Sequence, residues 1–173
     1  MHERMARGEG KWQEKALAGT IQMGQVESSP AMLRKVLTLS DGSVWHAGTA
    51  QATTAFGWVT RSPTGVAHGD YGIIAAGMGL VEGTPAAATS TRAEAAGVLS
   101  AMRATRRRMQ EEEWVRPLAV DHALDNESVV KVFWNMQHWP ALRWLRAADR
   151  DIWRAIQAEV QELGAMWMVK QPT

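Results

Sequence analysis

The sequence predicts an α/β domain whose mixed sheet is flanked by helices. Strand-like apolar runs come first and in close succession, and helical periodicity follows, alternating with further strands. At 173 residues, the chain is long enough for one domain to bury its own core.

Residues 1–31 carry four Gly, many charges and an "SSP" breaker without sustained periodicity, and are expected to form a mobile N-terminal extension. The domain is expected over 32–173. Its first strand is the β-rich run of Val36, Leu37 and Leu39, ending at the turn-like Asp41-Gly42. Two further strands are expected over 53–60 and 65–78, joined through "SPTG", where Pro presets φ and Gly tolerates positive φ. So tight a connection implies an antiparallel meander.

"EGTPAAATS" reads as a loop before a helix over 91–110. "RPLAVDHALD" is a strand opened by Pro, followed by a helix over 126–137 that "HWP" breaks, with a second helical stretch to 147. In "DRDIWRAIQAEVQEL", Ile152, Ile156, Val160 and Leu163 share one helix face, Asp149 or Asp151 caps its start and Gly164 its end. "AMWMVK" is the last strand. With the broken helix counted once, the order is βββαβααβ. That is five strands, with helices crossing over between the parallel ones.

Composition excludes several classes. The absence of Cys removes disulfides, iron–sulfur clusters and thiolate zinc sites. No stretch approaches a membrane span, and the N-terminus has no apolar core of a secretory signal, so a soluble intracellular protein is expected, cytoplasmic or nuclear. A net charge of +1 selects no partner. Arg103, Arg106, Arg107 and Arg108 are followed by "EEE" and read as a solvated helix end with Arg107–Glu111 and Arg108–Glu112 pairs, in preference to a phosphate-binding patch. Five of the nine Trp lie between 134 and 167 among aliphatic residues, a pattern of packing more than of base stacking.

The carboxylates carry the chemistry. Asp41 closes the first strand, Glu94 opens a helix of small residues, and Asp121 and Asp125 lie on the fourth strand and its exit. In a mixed sheet the ends of neighbouring parallel strands adjoin, and a helix packed there brings its first turn alongside. Carboxylates gathered at such a point repel one another unless a cation neutralises them, and oxygen ligands alone select a hard ion, Mg²⁺ or Mn²⁺. Each also has a local explanation: Asp41-Gly42 as a turn, Thr91 and Glu94 as a capping box, Asp125 as a helix cap. Spacing alone does not choose.

The pieces "SDGSVW" (40–45), "AFGWV" (55–59), "STRAEAAGVLSAM" (90–102), "LDNESVV" (124–130), "DRDIWRAI" (149–156) and "WMVK" (167–170) occur in an order that resembles the ribonuclease H domain, most closely the version attached to retroelement reverse transcriptases. The resemblance spans residues 33 to 173. It implies a five-stranded mixed sheet of ribonuclease H-like fold and Mg²⁺-dependent hydrolysis of the RNA strand of RNA–DNA hybrids. The implied cofactor is a pair of Mg²⁺ ions, for which Mn²⁺ substitutes. Asp41, Glu94 and Asp125 match the first three metal-binding, catalytic carboxylates, and Asp125 is preferred to Asp121 because the family's acid directly precedes the second helix. Two such ions clamp a scissile phosphate, activating water and stabilising the leaving oxygen. Gly42, Ser43, Ser90, Thr91 and Arg92 occupy segments that contact the hybrid backbone in the family, with capping as the rival role for Ser90 and Thr91.

The family's fourth carboxylate and nearby His follow its last strand, where "VKQPT" ends this sequence, so impaired activity is expected. An upstream reverse transcriptase region is the expected partner besides the hybrid. The alternative function is a non-catalytic ribonuclease H-like module for nucleic-acid binding or interaction.

Overall fold

A computed structural model describes residues 35–61, 73–111 and 119–172. Strands β1 (Lys35–Trp45), β2 (Thr53–Arg61) and β3 (Ile73–Val81) are followed by helix α1 (Ser90–Gln110), strand β4 (Ala119–Ala123), helices α2 (Glu127–Asn135), α3 (Ala141–Arg146) and α4 (Arg150–Leu163), and strand β5 (Trp167–Lys170). The sheet order is β3-β2-β1-β4-β5. β1, β2 and β3 pair antiparallel, whereas β1–β4 and β4–β5 are parallel. This is the expected mixed sheet with its meander. The N-terminal extension, the "SPTG" turn, the start of the third strand and the Pro opening of the fourth lie outside the described residues.

Two strand boundaries differ from expectation, and both differences bear on the site. β1 does not stop at Asp41-Gly42: Asp41 pairs with Gly57 and Gly42 with Phe56 in the antiparallel ladder, and the strand runs on to Trp45. The chain reverses later, where His46 and Gly48 take positive φ (51° and 77°). The glycine at 42 serves a different need. A Cβ there would lie 2.6 Å from the Glu94 amide nitrogen and 2.7 Å from the Ala93 Cβ, so only Gly lets α1 sit down on the strand. Gly97, one turn further along α1, makes a second close approach, with its Cβ position 3.2 Å from the Ser40 Cβ.

β4 ends at Ala123, short of the expected 125, and the Leu124 amide makes one last bond to β5, donating to the Lys170 carbonyl (3.1 Å). The next helix closes sooner than expected, giving way at Met136–His138 to a 3₁₀ turn.

α1 packs across β1 and β2, and α4 packs on α1. Small residues on α1 (Ala93, Ala95, Ala96, Ala101) keep it close, while Val36, Phe56, Trp58, Val120, Phe133, Trp153 and Ile156 fill the core between layers. The expected face of the last helix is present: Ile152, Ile156 and Leu163 are buried and Val160 half-buried. Trp144, Trp153 and Trp167 are core residues, as expected of packing aromatics. Trp134 is 42 % exposed and donates to the Val169 carbonyl at 2.9 Å. Among the described residues no helix is long and apolar enough to cross a membrane.

The arginines ending α1 do more than solvate a helix end. Arg106 makes a two-pronged contact with the buried Glu159 of α4 (2.7 and 3.2 Å), and Arg103 approaches the same carboxylate at 3.5 Å. They fasten α4 to α1.

Gly42→Ala is expected to cost about 2 kcal/mol or more, because the atoms it meets are helix backbone and cannot swing aside. Urea unfolding midpoints of the two proteins check this, and an unchanged midpoint would remove the close-approach role.

Candidate metal centre

The parallel ladder between β1 and β4 ends at the Leu39–Ala123 pair. Beyond it the strands diverge, β1 continuing along β2 and β4 turning toward α2. Asp41 and Asp125 each lie two residues past that last pair, facing one fork from its two prongs. Such crevices beyond the carboxyl ends of parallel strands are where open α/β sheets bind ligands. Glu94 enters from the second turn of α1, set against β1 by Gly42. Ligand oxygens of Asp41, Glu94 and Asp125 all lie within 4.8 Å of one another.

None of the three local explanations describes these residues. Asp41-Gly42 lies within a strand, and the Gly42 amide donates to the Asp41 Oδ1 (2.8 Å). The rival Thr91–Glu94 capping box is absent: Thr89 caps α1, accepting from the Arg92 amide at 3.1 Å. Asp125 does not cap α2 either, since Asn126 does so by accepting from the Val129 amide at 3.2 Å.

Glu94 is only 3 % exposed, and its Oε2 is buried with no hydrogen-bond partner. Burial is the main reason its carboxyl is pushed up from 4.5 to about 7. The Gly42 amide opposes the shift, while Asp41 and Asp125 reinforce it by repulsion. An orphaned carboxylate oxygen aimed at two exposed carboxylates suits an all-oxygen site for a hard divalent cation. The residues therefore fit such an ion.

Asp121 is elsewhere. Its carboxylate is held between Lys170 (2.7 Å) and Lys35 (2.8 Å), which keep it below the usual carboxylate range. Asp149 and Asp151 are likewise committed, both to Arg92.

The expected nucleic-acid contacts divide. Ser43 and Ser90 are exposed, and Gly42 and Thr91 half-buried, around the cluster. Arg92 instead turns inward. Its guanidinium donates to the Glu82 carbonyl (3.1 and 2.8 Å), to Asp149 (3.1 Å) and to Asp151 (2.9 and 2.6 Å), with the side chain only 10 % exposed. These bonds raise its pKa, chiefly through Asp151. They also join the start of α4 to the start of α1. Of the two residues expected to cap α4, Asp149 or Asp151, Asp149 takes the N-cap position, but its side chain makes no capping bond, and it holds a left-handed φ of 55° while its carboxylate reaches Arg92.

Sequence reading also passed over a set of exposed cations on the last two helices. Arg143, Arg146, Arg150 and Arg154 are exposed on α3 and α4. Two of them lie over indole rings, Arg143 over Trp139 and Arg154 over Trp144, 4.7 and 4.5 Å from the centroids. The aromatic pattern there drew attention to packing and hid the interleaved charge.

The sheet order and the crossover helix are those of the ribonuclease H-like fold. Solved structures agree. The chain is similar to a foamy viral protease-reverse transcriptase crystallised with double-stranded DNA (TM-score 0.58, 13 % identity, covering 84 % of this chain and 86 % of that one). It is also similar to RNase H1 of the archaeon Halobacterium salinarum (TM-score 0.50, 22 % identity, 80 % and 85 % covered). A third is LC11-RNase H1, isolated from compost and solved with an RNA/DNA hybrid (TM-score 0.51, 14 % identity, 79 % and 84 % covered). No family model and no curated protein matches the sequence.

Glu94 also predicts a pH dependence. An acid whose folded pKa (about 7) exceeds its unfolded value (4.5) adds stability fully below 4.5 and loses it as pH rises through 7. Metal-free protein is therefore expected to unfold more easily at pH 8 than at pH 5, and Glu94→Gln to flatten that slope and stabilise the fold at pH 8. Denaturant titrations in a chelator check both. Equal slopes would place the repulsion elsewhere.

Proposed function

We propose that this domain hydrolyses the RNA strand of RNA–DNA hybrids in a Mg²⁺-dependent reaction, and that it is of the type attached to reverse transcriptases. The observation that carries the reading is the convergence of Asp41, Glu94 and Asp125 at the strand fork of a ribonuclease H-like sheet. The foamy viral similarity and the order of the sequence motifs support the reverse-transcriptase type.

Asp41, Glu94 and Asp125 would hold Mg²⁺, or Mn²⁺ in its place, which when bound supplies charge neutralisation at a scissile phosphate and acidifies water. The chain's own part is positional. Asp41 and Asp125 face the fork from two strands, and the buried Glu94 closes it from the helix side. Glu94 gives up its proton to serve as a ligand, so cation affinity should rise with pH through about 7. The Ser43 and Ser90 hydroxyls and the open first turn of α1 offer donors to a nucleic-acid backbone beside the cluster. The exposed arginines of α3 and α4 are further candidates for phosphate contacts. Recognition of the hybrid then rests on groove shape and the 2′-OH in place of sequence.

Three carboxylates balance one divalent cation comfortably and two poorly. Calorimetric Mn²⁺ titration is therefore expected to show one appreciable site and a second that needs nucleic acid. Asp125→Asn should abolish binding, whereas Asp121→Asn leaves most of it, because Asp121 is already neutralised by two lysines. The opposite order would reject the assignment. Cleavage assays on hybrid, duplex DNA and duplex RNA test the activity itself. Slow hybrid-specific cleavage, faster in Mn²⁺ than in Mg²⁺, is expected. Hybrid binding without cleavage in either metal would favour the non-catalytic module.

Arg143→Ala and Arg146→Ala should each weaken hybrid binding and flatten its salt dependence, by up to about one unit of log–log slope for each phosphate that is no longer neutralised. Affinities measured over a salt series check this, and unchanged slopes would remove these arginines from the phosphate contacts.

A further inference from the structure

His122 is buried completely in β4, yet neither the core nor the proposed chemistry explains it. A Leu would pack there without leaving a polar atom stranded. Its Nε2 lies 2.7 Å from the Ser40 Oγ, its ring packs against Trp167 of β5 with centroids 5.5 Å apart, and its Nδ1 has no partner among the described residues. Burial pushes the imidazole down to about 3, so the ring is neutral and carries one proton. A stranded lone pair costs less than a stranded N–H, which places the proton on Nε2 as donor to Ser40.

Ser40 sits where three elements meet. It precedes Asp41 on β1, it accepts from β4 through His122, and its Cβ faces Gly97 of α1 at the second close approach of that helix. Asp125 lies three residues beyond His122, and Glu94 three residues before Gly97. The bond is thus a side-chain tie across the parallel strands beside their last ladder pair, Leu39–Ala123, just before they fork.

We propose that the Ser40–His122 hydrogen bond is a positioning device that fixes the mutual placement of Asp41, Glu94 and Asp125 and thereby sets cation affinity. The inference rests on those three carboxylates being the cation site. Groups behind a cation's ligands orient them without touching the ion, and their removal characteristically lowers affinity about tenfold or more; this tie acts on the ligands through the strand and helix backbone. The tie also accounts for a buried histidine where an aliphatic residue would pack.

The test uses the full chain, with Mn²⁺ as probe. Mn²⁺ affinity is measured by calorimetry, and thermal unfolding is followed separately in chelator, for wild type, Ser40→Ala, His122→Leu, the double variant and Asp125→Asn. Ser40→Ala is expected to lower Mn²⁺ affinity roughly tenfold, and its chelator unfolding midpoint also falls, because the His122 Nε2–H is left buried without an acceptor. His122→Leu should lower affinity similarly, and the double variant no further, since both remove one bond. If His122→Leu does not fold, Ser40→Ala alone decides. Wild-type affinity in Ser40→Ala, while Asp125→Asn loses binding, overturns the positioning role and leaves the cation site standing. Wild-type affinity in Asp125→Asn overturns both. Additive losses that track lowered unfolding midpoints would reduce the tie to ordinary packing and also overturn the proposal.

Discussion

The seating of helix α1 against strand β1 at Gly42 governs the rest of the molecule. With hydrogen in place of a side chain at 42, the helix approaches until its first-turn backbone touches the strand. That contact carries Glu94 out of solvent and up to Asp41. It also demands that the adjoining helix surface be small, which Ala93, Ala96 and Gly97 provide. The cluster is therefore a consequence of a packing distance, and a larger residue at 42 would separate its members whatever their chemistry.

Close seating has an electrostatic cost. Glu94 is buried beside two like charges and has no partner for one of its oxygens, so in the metal-free protein the carboxyl holds its proton to near neutrality. The surroundings are stiffened against that repulsion. Arg92, two residues earlier, grips the loop after β3 and both aspartates at the start of α4, and Arg106 holds α4 from the other end of α1. Asp149 accepts an unfavourable backbone conformation within this network. A site that is strained when empty and supported by buried ion pairs suits a function supplied by an added cation.

The elements most legible in the sequence were those whose pattern is local. The apolar face of α4, the 53–60 strand and the long helix expected over 91–110 were all read from local pattern, because side-chain spacing and end signals on a helix or strand are set by that element alone. The motif order resembling ribonuclease H domains pointed to the sheet, and the solved structures agree with that fold. Local chemistry misled wherever a residue's partner lies far away in sequence. Asp41-Gly42 has turn composition but is strand, because its partners in β2 fix its backbone. Thr91 and Glu94 have capping-box spacing, but Thr89 caps first and frees the glutamate.

Composition, hydrophobic period and motif order by themselves determined the class of fold and the candidate acids. Only the tertiary structure decided which acids meet. Asp121 and Asp125 are four residues apart and equally acidic by type. The end of the β1–β4 ladder places one at the fork, and two lysines from neighbouring strands claim the other. Likewise Arg92, in a segment that in sequence invited a phosphate contact, is turned inward by two aspartates more than fifty residues away. Sequence spacing carries the geometry of one element, whereas charge pairing is decided by distances between elements.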